Sequence, residues 1–298
     1  MGYQLWTSPV TGYRRTGTRV SEIRTMFENG VTVRSIYEPL KACLAEANAT
    51  EMAELLDHRG FYIAGVKEPD KQSITRFVSA AALKKGGTVR DHAEDIVVEC
   101  LISDATPLAK IFSLLGSRAY SFVLVGGTVS GIVTRADLNK PPARIYLFGL
   151  ISLLEMHLVF WIRKEFGDDW QRHLKEPRLA EANKLFEQRR QKHQELNLCE
   201  CLQLCDKADL IVSRDVLREL FNMNSKKGGE KTFRRIQSLR DLLAHGQNNL
   251  IEDTSWEELS LIVSWIEQAL EKSDAEIEKL AVEAGGNYVE RFWSAADQ

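Results

Sequence analysis

An arginine and a histidine near position 240 are the residues of this chain whose types best suit phosphate chemistry. Arg240 and His245 stand five residues apart in a helix-patterned stretch that reads Arg-Asp-Leu-Leu-Ala-His-Gly. A guanidinium can grip phosphate oxygens through two parallel hydrogen bonds. An imidazole changes its charge near neutral pH and can carry a proton. This pairing of a fixed cation with a proton carrier suits phosphodiester chemistry. The alternative is that both are ordinary surface or capping residues near a helix end.

A basic stretch leads into this pair. Between Lys226 and Arg240 the chain has six basic residues and a single acidic one, Glu230. Such a local excess of positive charge attracts polyanions. Four of these cations would hold the backbone of a polyanion in a salt-dependent way: Lys226, Lys227, Arg234 and Arg235. The alternative is a solvated helix face without a partner.

The same stretch resembles the Arg-(Asn/Asp/His)-…-His signature of HEPN domains, helical bundles that often act as metal-independent ribonucleases. Asp241 fits the second position of that signature, which makes Arg240, Asp241 and His245 the candidate catalytic residues. The resemblance implies a homodimer in which two such sets face one cleft, and it makes Lys226, Lys227, Arg234 and Arg235 candidate RNA-binding residues. The substrate's 2′-hydroxyl would attack, Arg240 would stabilise the transition-state charge, and His245 would act as general acid or base. No cofactor is implied for catalysis.

The elements that must position this pair are helical. Apolar residues recur at helical spacing in two segments near the motif: Phe233, Ile236, Leu239 and Leu243, then Leu259, Ile262, Val263, Ile266 and Leu270. Residues 222–229 are predicted to form a loop, with Thr232 as the cap of the next helix and Gly246 as its end. Residues 144–298 are therefore predicted to form an all-α, HEPN-like bundle of four or more helices.

One segment of this half could cross a membrane by its length. Apolar residues run almost without a break from Ile145 to Trp161. Glu155 and His157 lie at the middle of the segment, where ionisable groups are costly in lipid. We predict a helix buried in protein, and no membrane partner. Glu155 would then need a polar partner, and Arg240 or His245 could supply it.

The cysteines and the amino terminus indicate the compartment. Five cysteines are an odd number for a disulfide framework, and no apolar signal core opens the sequence. We expect a cytoplasmic protein. Cys199, Cys201 and Cys205 follow His193, but their spacing matches no familiar zinc site, so no metal is expected.

The first half of the chain contains an internal repeat. Ala49-Thr50 begins a helical pattern that returns at Ala105-Thr106, an offset of 56 residues. Each copy continues with an apolar strand, a turn and a second strand. The second strands are predicted over residues 76–83 and 131–138. A helix and two strands, given twice, predict an α/β unit with a duplicated core.

This repeat resembles a tandem CBS module, and the strand-to-helix ending from Gly131 to Leu138 is its clearest match. In that family the Thr and Asp of this ending commonly contact the ribose or phosphate of an adenine nucleotide. The resemblance makes Thr134 and Asp137 candidate ligand contacts, together with Ser79 of the first copy. Ala82 replaces the aspartate in that copy. A pair kept only as a dimerisation scaffold is the alternative.

Three segments follow from these patterns. Residues 1–30 are predicted to be a basic, extended amino-terminal segment, residues 31–143 the tandem CBS-like module, and residues 144–298 the HEPN-like bundle. The prolines at 141 and 142 mark the last boundary, because consecutive prolines resist both helix and central strand.

Together the two resemblances imply a nucleotide-regulated endoribonuclease that acts on RNA as a homodimer. Similar pairings of a sensor with a toxic nuclease serve bacterial stress and antiviral defence, so a defence role is implied by analogy. A non-catalytic nucleotide sensor and an RNA-binding protein that does not cleave are the alternatives.

Overall fold

The protein's structure is a computed structural model. It describes residues 19–70, 73–193, 197–244, 249–250 and 255–285, with the backbone alone for residues 27–29 and 281–285. The chain divides into two compact units. One comprises Phe27–Ala143, and the other comprises Met1–Met26 with Arg144–Gln298. An α/β region followed by a helical region is thus confirmed.

The α/β unit consists of two copies of a strand, a helix and an antiparallel strand pair. The chain enters it through α1 (Val20–Asn29), and the elements then follow in this order: β1 (Glu38–Pro39), β2 (Ala42–Leu44), α2 (Ala49–His58), β3 (Ile63–Lys67), β4 (Arg76–Ser79), α3 (Ala80–Leu83), β5 (Glu94–Asp95), β6 (Leu101–Ser103), α4 (Leu108–Ser117), β7 (Tyr120–Val125) and β8 (Thr128–Thr134). A 3₁₀ turn over Arg135–Asn139 completes the second copy.

The two copies exchange short strands. One sheet has the strand order β1-β8-β7-β6 and the other has the order β2-β3-β4-β5. The strand β1 precedes the first copy but pairs with β8 of the second, and β5 precedes the second copy but pairs with β4 of the first. Aromatic rings then join the sheets, since Phe77 of β4 lies 5.1 Å from Phe122 of β7. This exchange brings the ends of strands from both copies together.

The predicted second strands are partly wrong. The strand predicted over residues 76–83 ends at Ser79, and the one predicted over residues 131–138 ends at Thr134. Each strand turns into a helical segment at these residues. Ser79 Oγ accepts the amide hydrogen of Ala82 at 3.2 Å, and Asp137 accepts the amide hydrogen of Thr134 at 2.7 Å. These caps stabilise the first helical turn and stop the strand.

Over its described residues, the helical unit is built mainly from six helices: α5 (Pro141–Phe166), α6 (Glu176–Arg190), α7 (Leu204–Ser213), α8 (Asp215–Leu220), α9 (Lys226–Ala244) and α10 (Trp256–Gly285). The predicted boundary prolines begin α5 rather than interrupt the chain. Proline is tolerated in a first turn because the amide hydrogen that it lacks has no partner there. The division between the units falls after Ala143.

The segment predicted as an extended amino-terminal arm is helical over its described part. The amide hydrogen of Val20 at the start of α1 is donated to Asp274 Oδ2 of α10 at 2.7 Å. Arg19 forms an ion pair with Glu278 of the same helix at 2.9 Å. The acidic residues of α10 hold residues 19–26 in the helical unit, which corrects the prediction of a separate extended segment there. Residues 1–18 lie outside the described residues.

Helix α5 is long enough and apolar enough to cross a membrane, and 56% of its most apolar stretch is buried inside the protein. Two ionisable residues near the middle of α5, Glu155 and His157, have partners in the helical unit. Glu155 Oε2 accepts a hydrogen bond from Lys207 Nζ at 2.7 Å, and His157 Nδ1 lies 2.6 Å from Ser273 Oγ. These contacts fit a core helix, since buried polar groups are stabilised by hydrogen bonds.

Helix α9 begins earlier than the glycines and lysines of residues 222–229 suggest. It starts at Lys226, so Gly228 and Gly229 lie within the helix and Thr232 is not its cap. A Cβ atom at Gly229 would lie 2.9 Å from Val212 Cγ1 of α7. Glycine therefore permits the close approach of α7 and α9, and tertiary packing outweighs its low helix propensity.

Candidate functional site

A cavity of about 620 Å³ opens in the α/β unit where strand ends from both copies meet. This volume is within the usual range for small-molecule sites. All three predicted ligand residues line it, and the exchange of β1 adds residues that precede the first repeat. The lining residues are Glu38, Pro39, Lys41, Gly60, Phe61, Tyr62, Ile63, Ser79, Ala80, Ala81, Ala119, Tyr120, Ile132, Thr134, Arg135, Ala136 and Asp137.

Asp137 is held on both of its oxygens. Its Oδ2 accepts hydrogen bonds from the backbone amide of Thr134 at 2.7 Å and from Thr134 Oγ1 at 3.0 Å. Its Oδ1 lies 2.8 Å from Lys140 Nζ, which also contacts Glu38. Burial lowers the pKa of Lys140, but the hydrogen bonds to Asp137 and Glu38 outweigh that effect and leave the pKa above its ordinary value. Asp137 is thus a fixed acceptor at the cavity wall.

Ser79 occupies the place in the first copy that Thr134 occupies in the second. Ser79 pairs with Ile63 across β3 and β4, and Thr134 pairs with Tyr120 across β7 and β8. Ala82 follows Ser79 at the spacing at which Asp137 follows Thr134. The two-copy arrangement therefore brings two hydroxyl groups to the cavity, but only the second copy supplies a carboxylate from this position.

The sequence did not single out three further residues of the lining. Lys41 lies between β1 and β2, and its side chain is exposed. Tyr62 is 79% exposed although it is aromatic. Burial raises the pKa of Tyr120, whose ring lies 5.5 Å from that of Phe122. These three residues lie at or next to the ends of predicted strands, which could have marked them as candidates for a site. That they share one cavity is shown only by the pairing of strands in the two sheets.

In the helical unit, Arg240 contacts the partly exposed carboxylate of Glu155, which also pairs with the buried Lys207. Its Nε lies 3.3 Å from Glu155 Oε1, while the other oxygen of Glu155 binds Lys207 Nζ. Lys207 is 4% exposed, whereas the side chain of Arg240 is 41% exposed. One terminal nitrogen of Arg240 lies 3.6 Å from Asp241 Oδ1. Glu155 therefore braces Arg240 by one edge and leaves part of the guanidinium at the surface.

Of the other two residues of the motif, the structure describes Asp241. Asp241 is exposed, and its carboxylate accepts hydrogen bonds from Gln237 Nε2 at 3.0 and 3.1 Å. This places Asp241 on the outer face of α9. His245 and Gly246 lie outside the described residues, so the pairing of Arg240 with His245 in one site stays a prediction.

The four residues predicted to contact RNA differ in their surroundings. Lys226, Lys227 and Arg234 are exposed on α9. Arg235 instead forms an ion pair with Glu258 of α10. Lys231 is exposed and lies on the same helical face as Lys227 and Arg234, because residues three and four apart are neighbours on a helix surface. The basic face consists of Lys227, Lys231 and Arg234, with Lys226 at its start.

The cysteines near His193 show no metal geometry. Burial raises the pKa of Cys199 to about 12, so its thiol stays protonated at neutral pH. Burial also raises the pKa of Cys201. Protonated thiols are poor metal ligands and poor nucleophiles. Within the residues that the structure describes, no group of three or more His, Cys, Asp or Glu side chains could hold a metal ion.

Comparisons with known proteins give likenesses among solved structures. No protein-family model and no curated protein matches the chain. The CBS-pair protein CBSX2 from Arabidopsis thaliana is 20% identical over 38% of this chain and 95% of its own, with a TM-score of 0.33. The CBS domain of a bacterial CNNM/CorC-family Mg²⁺ transporter, in complex with ATP, is 17% identical over 39% of this chain and 89% of its own, with a TM-score of 0.32.

A hemolysin-like protein containing a CBS domain, from Oenococcus oeni PSU, gives a similar result. It is 12% identical over 39% of this chain and 92% of its own, with a TM-score of 0.31. Each of these alignments leaves more than half of this chain uncovered.

Proposed function

We propose that the α/β unit is a regulatory module that binds an adenine nucleotide in the 620 Å³ cavity. The observation that carries this proposal is the convergence of Ser79, Thr134 and Asp137 on one cavity with apolar walls. A carboxylate accepts hydrogen bonds from ribose hydroxyls, and hydroxyl groups suit phosphate oxygens. A few polar groups in an otherwise apolar pocket are the usual means of fixing a ligand's orientation.

Binding of AMP to the full chain tests this proposal. A ligand that binds only the folded protein stabilises it by about 2.7 kcal/mol at a hundredfold excess over its Kd. We therefore expect AMP to raise the unfolding temperature and to produce a saturable heat of binding in calorimetry. Inorganic phosphate at the same concentration is the control and should do neither. No saturable binding of AMP would contradict the proposal.

We propose as a second function that the helical unit cleaves RNA, under the control of the nucleotide. Two observations favour it: Glu155 braces Arg240 while leaving it partly exposed, and the basic face lies on the same helix. Arg240 would bind the phosphate, and His245 would move the proton. Nucleotide control requires a ligand that binds two states of the protein with different affinities. Stress or antiviral defence is the corresponding biological role.

The test compares the full chain with its Arg240→Ala and His245→Ala variants on labelled RNA, with and without AMP. We expect cleavage products ending in 2′,3′-cyclic phosphate from the parent, and a loss of at least about 100-fold in rate from each variant. Arg172→Ala is the matched control, because Arg172 is an arginine of the same unit with 82% of its side chain exposed. Equal RNA integrity with all four proteins would rule out cleavage. Retention of intact RNA would favour RNA binding alone.

A further inference from the structure

We propose that the cavity selects a nucleoside monophosphate over the di- and triphosphate, with the base on Tyr62 and the phosphate on Lys41. This inference rests on the proposed nucleotide binding and names the ligand class of the same site. The inference is based on which charged side chains at the cavity already have ion-pair or hydrogen-bond partners within the protein.

Most cationic side chains at the cavity already form hydrogen bonds or ion pairs with other groups of the protein. Arg135 donates hydrogen bonds to the carbonyl oxygens of Leu115 at 2.8 Å and Gly116 at 3.2 Å, at the end of α4. The ammonium of Lys140, next to the cavity, is bound to Asp137 and Glu38. These contacts satisfy carbonyl and carboxylate oxygens of the protein, so neither cation is free to neutralise a phosphate chain.

Lys41 is different. Among the described residues that line the cavity, it is the cation for which the structure gives no ion pair and no side-chain hydrogen bond. Its ammonium can therefore meet one phosphate group as a point charge. Two carboxylates, Glu38 and Asp137, line the same cavity. Each further phosphate would add negative charge beside them without a new cation, and an uncompensated charge is costly to desolvate.

Tyr62 provides a surface for the base. It lies next to Ile63, which pairs with Ser79 at the end of β4, so its ring stands at the same strand ends as the polar ligand residues. An aromatic side chain that is 79% exposed and lines a cavity offers a free face for stacking. Stacking of a base on an aromatic ring contributes substantially to nucleotide affinity. Asp137, at the opposite copy's strand end, would then receive the ribose.

The test measures the affinity of the full chain for adenosine, AMP, ADP and ATP by calorimetry in the absence of divalent cations. We expect AMP to bind most tightly and ATP to bind at least about tenfold more weakly. Lys41→Met should reduce the affinity for AMP to that for adenosine. Lys85→Met is the control, since Lys85 is an exposed lysine of the same unit that does not line the cavity. Lys85→Met should leave the AMP preference intact.

Stacking of the base on Tyr62 is tested separately. Tyr62→Ala should weaken all four ligands by about tenfold or more, and Tyr62→Phe should restore the binding. Leu44→Ala, at an exposed apolar residue on β2 outside the cavity, should have no effect. ATP binding as tightly as AMP, or an unchanged ratio of AMP to adenosine affinity in Lys41→Met, would overturn the inference while leaving nucleotide binding in place. Binding of none of the four ligands by the parent would overturn both.

Discussion

Replacement of Glu155 by alanine should lower the free energy of unfolding by about 3–5 kcal/mol. Lys207 is 4% exposed, and Glu155 is its carboxylate partner at 2.7 Å. The substitution would leave a buried ammonium without a counterion, and removing one partner of a buried pair is costly for this reason. Urea denaturation of the full chain, followed by circular dichroism at helical wavelengths, measures the change.

A control variant and a rescue variant distinguish the loss of the ion pair from the loss of side-chain packing. Glu187→Ala removes a surface carboxylate that pairs with Arg190, and it should change stability by less than about 0.5 kcal/mol. The double change Glu155→Leu with Lys207→Met replaces the pair by apolar side chains and should recover most of the loss. A loss below about 1 kcal/mol in Glu155→Ala would show that Lys207 reaches another acceptor or water.

Replacement of Asp137 by alanine should reduce the affinity for AMP by about 100-fold. A hydrogen bond to a charged group contributes about 1.5–3 kcal/mol, and a ribose can donate two such bonds to one carboxylate. The variant should also lose about 1–3 kcal/mol of stability, because the amide of Thr134 and the ammonium of Lys140 lose an acceptor. Calorimetry with AMP and thermal unfolding of the full chain give the two numbers.

Two further variants make this result specific. Asp137→Asn keeps an oxygen acceptor for the amide of Thr134 and should be more stable than Asp137→Ala, with a smaller loss of affinity. Asp57→Ala removes a half-exposed carboxylate that pairs with Lys84, and its affinity for AMP should equal that of the parent. If Asp137→Ala, although folded, bound AMP as the parent does, the ribose would have to lie elsewhere in the cavity.

The repeat is the part of the fold that the sequence predicts best. Its strands and helices follow from local alternation of apolar residues and from turn residues such as Gly126 and Gly127, which have positive φ angles. The ends of the second strands were wrong. They depend on whether Ser79 and Thr134 continue a strand or cap a helical turn, and both residue types can do either.

The residues of the cavity could be predicted from the sequence where they lie close together along the chain. Thr134 and Asp137 stand three residues apart, so one turn holds them together whatever the rest of the chain does. Lys41 and Tyr62 could not be assigned to the cavity of Thr134 and Asp137 from sequence, because that depends on β2 pairing with β3 and on β1 pairing with β8 of the second copy. Pairing between distant strands is set by the packing of the whole sheet, which no short pattern encodes.

In the helical unit, too, some features follow from the sequence alone and others depend on tertiary packing. The sequence alone determined that Glu155, in an apolar helix, needed a polar partner, because an isolated buried charge is too costly. Only the tertiary structure decided that this carboxylate joins Lys207, 52 residues away, to Arg240. Local periodicity fixes which face of a helix is apolar, but the partner of a buried charge is fixed by how the helices pack.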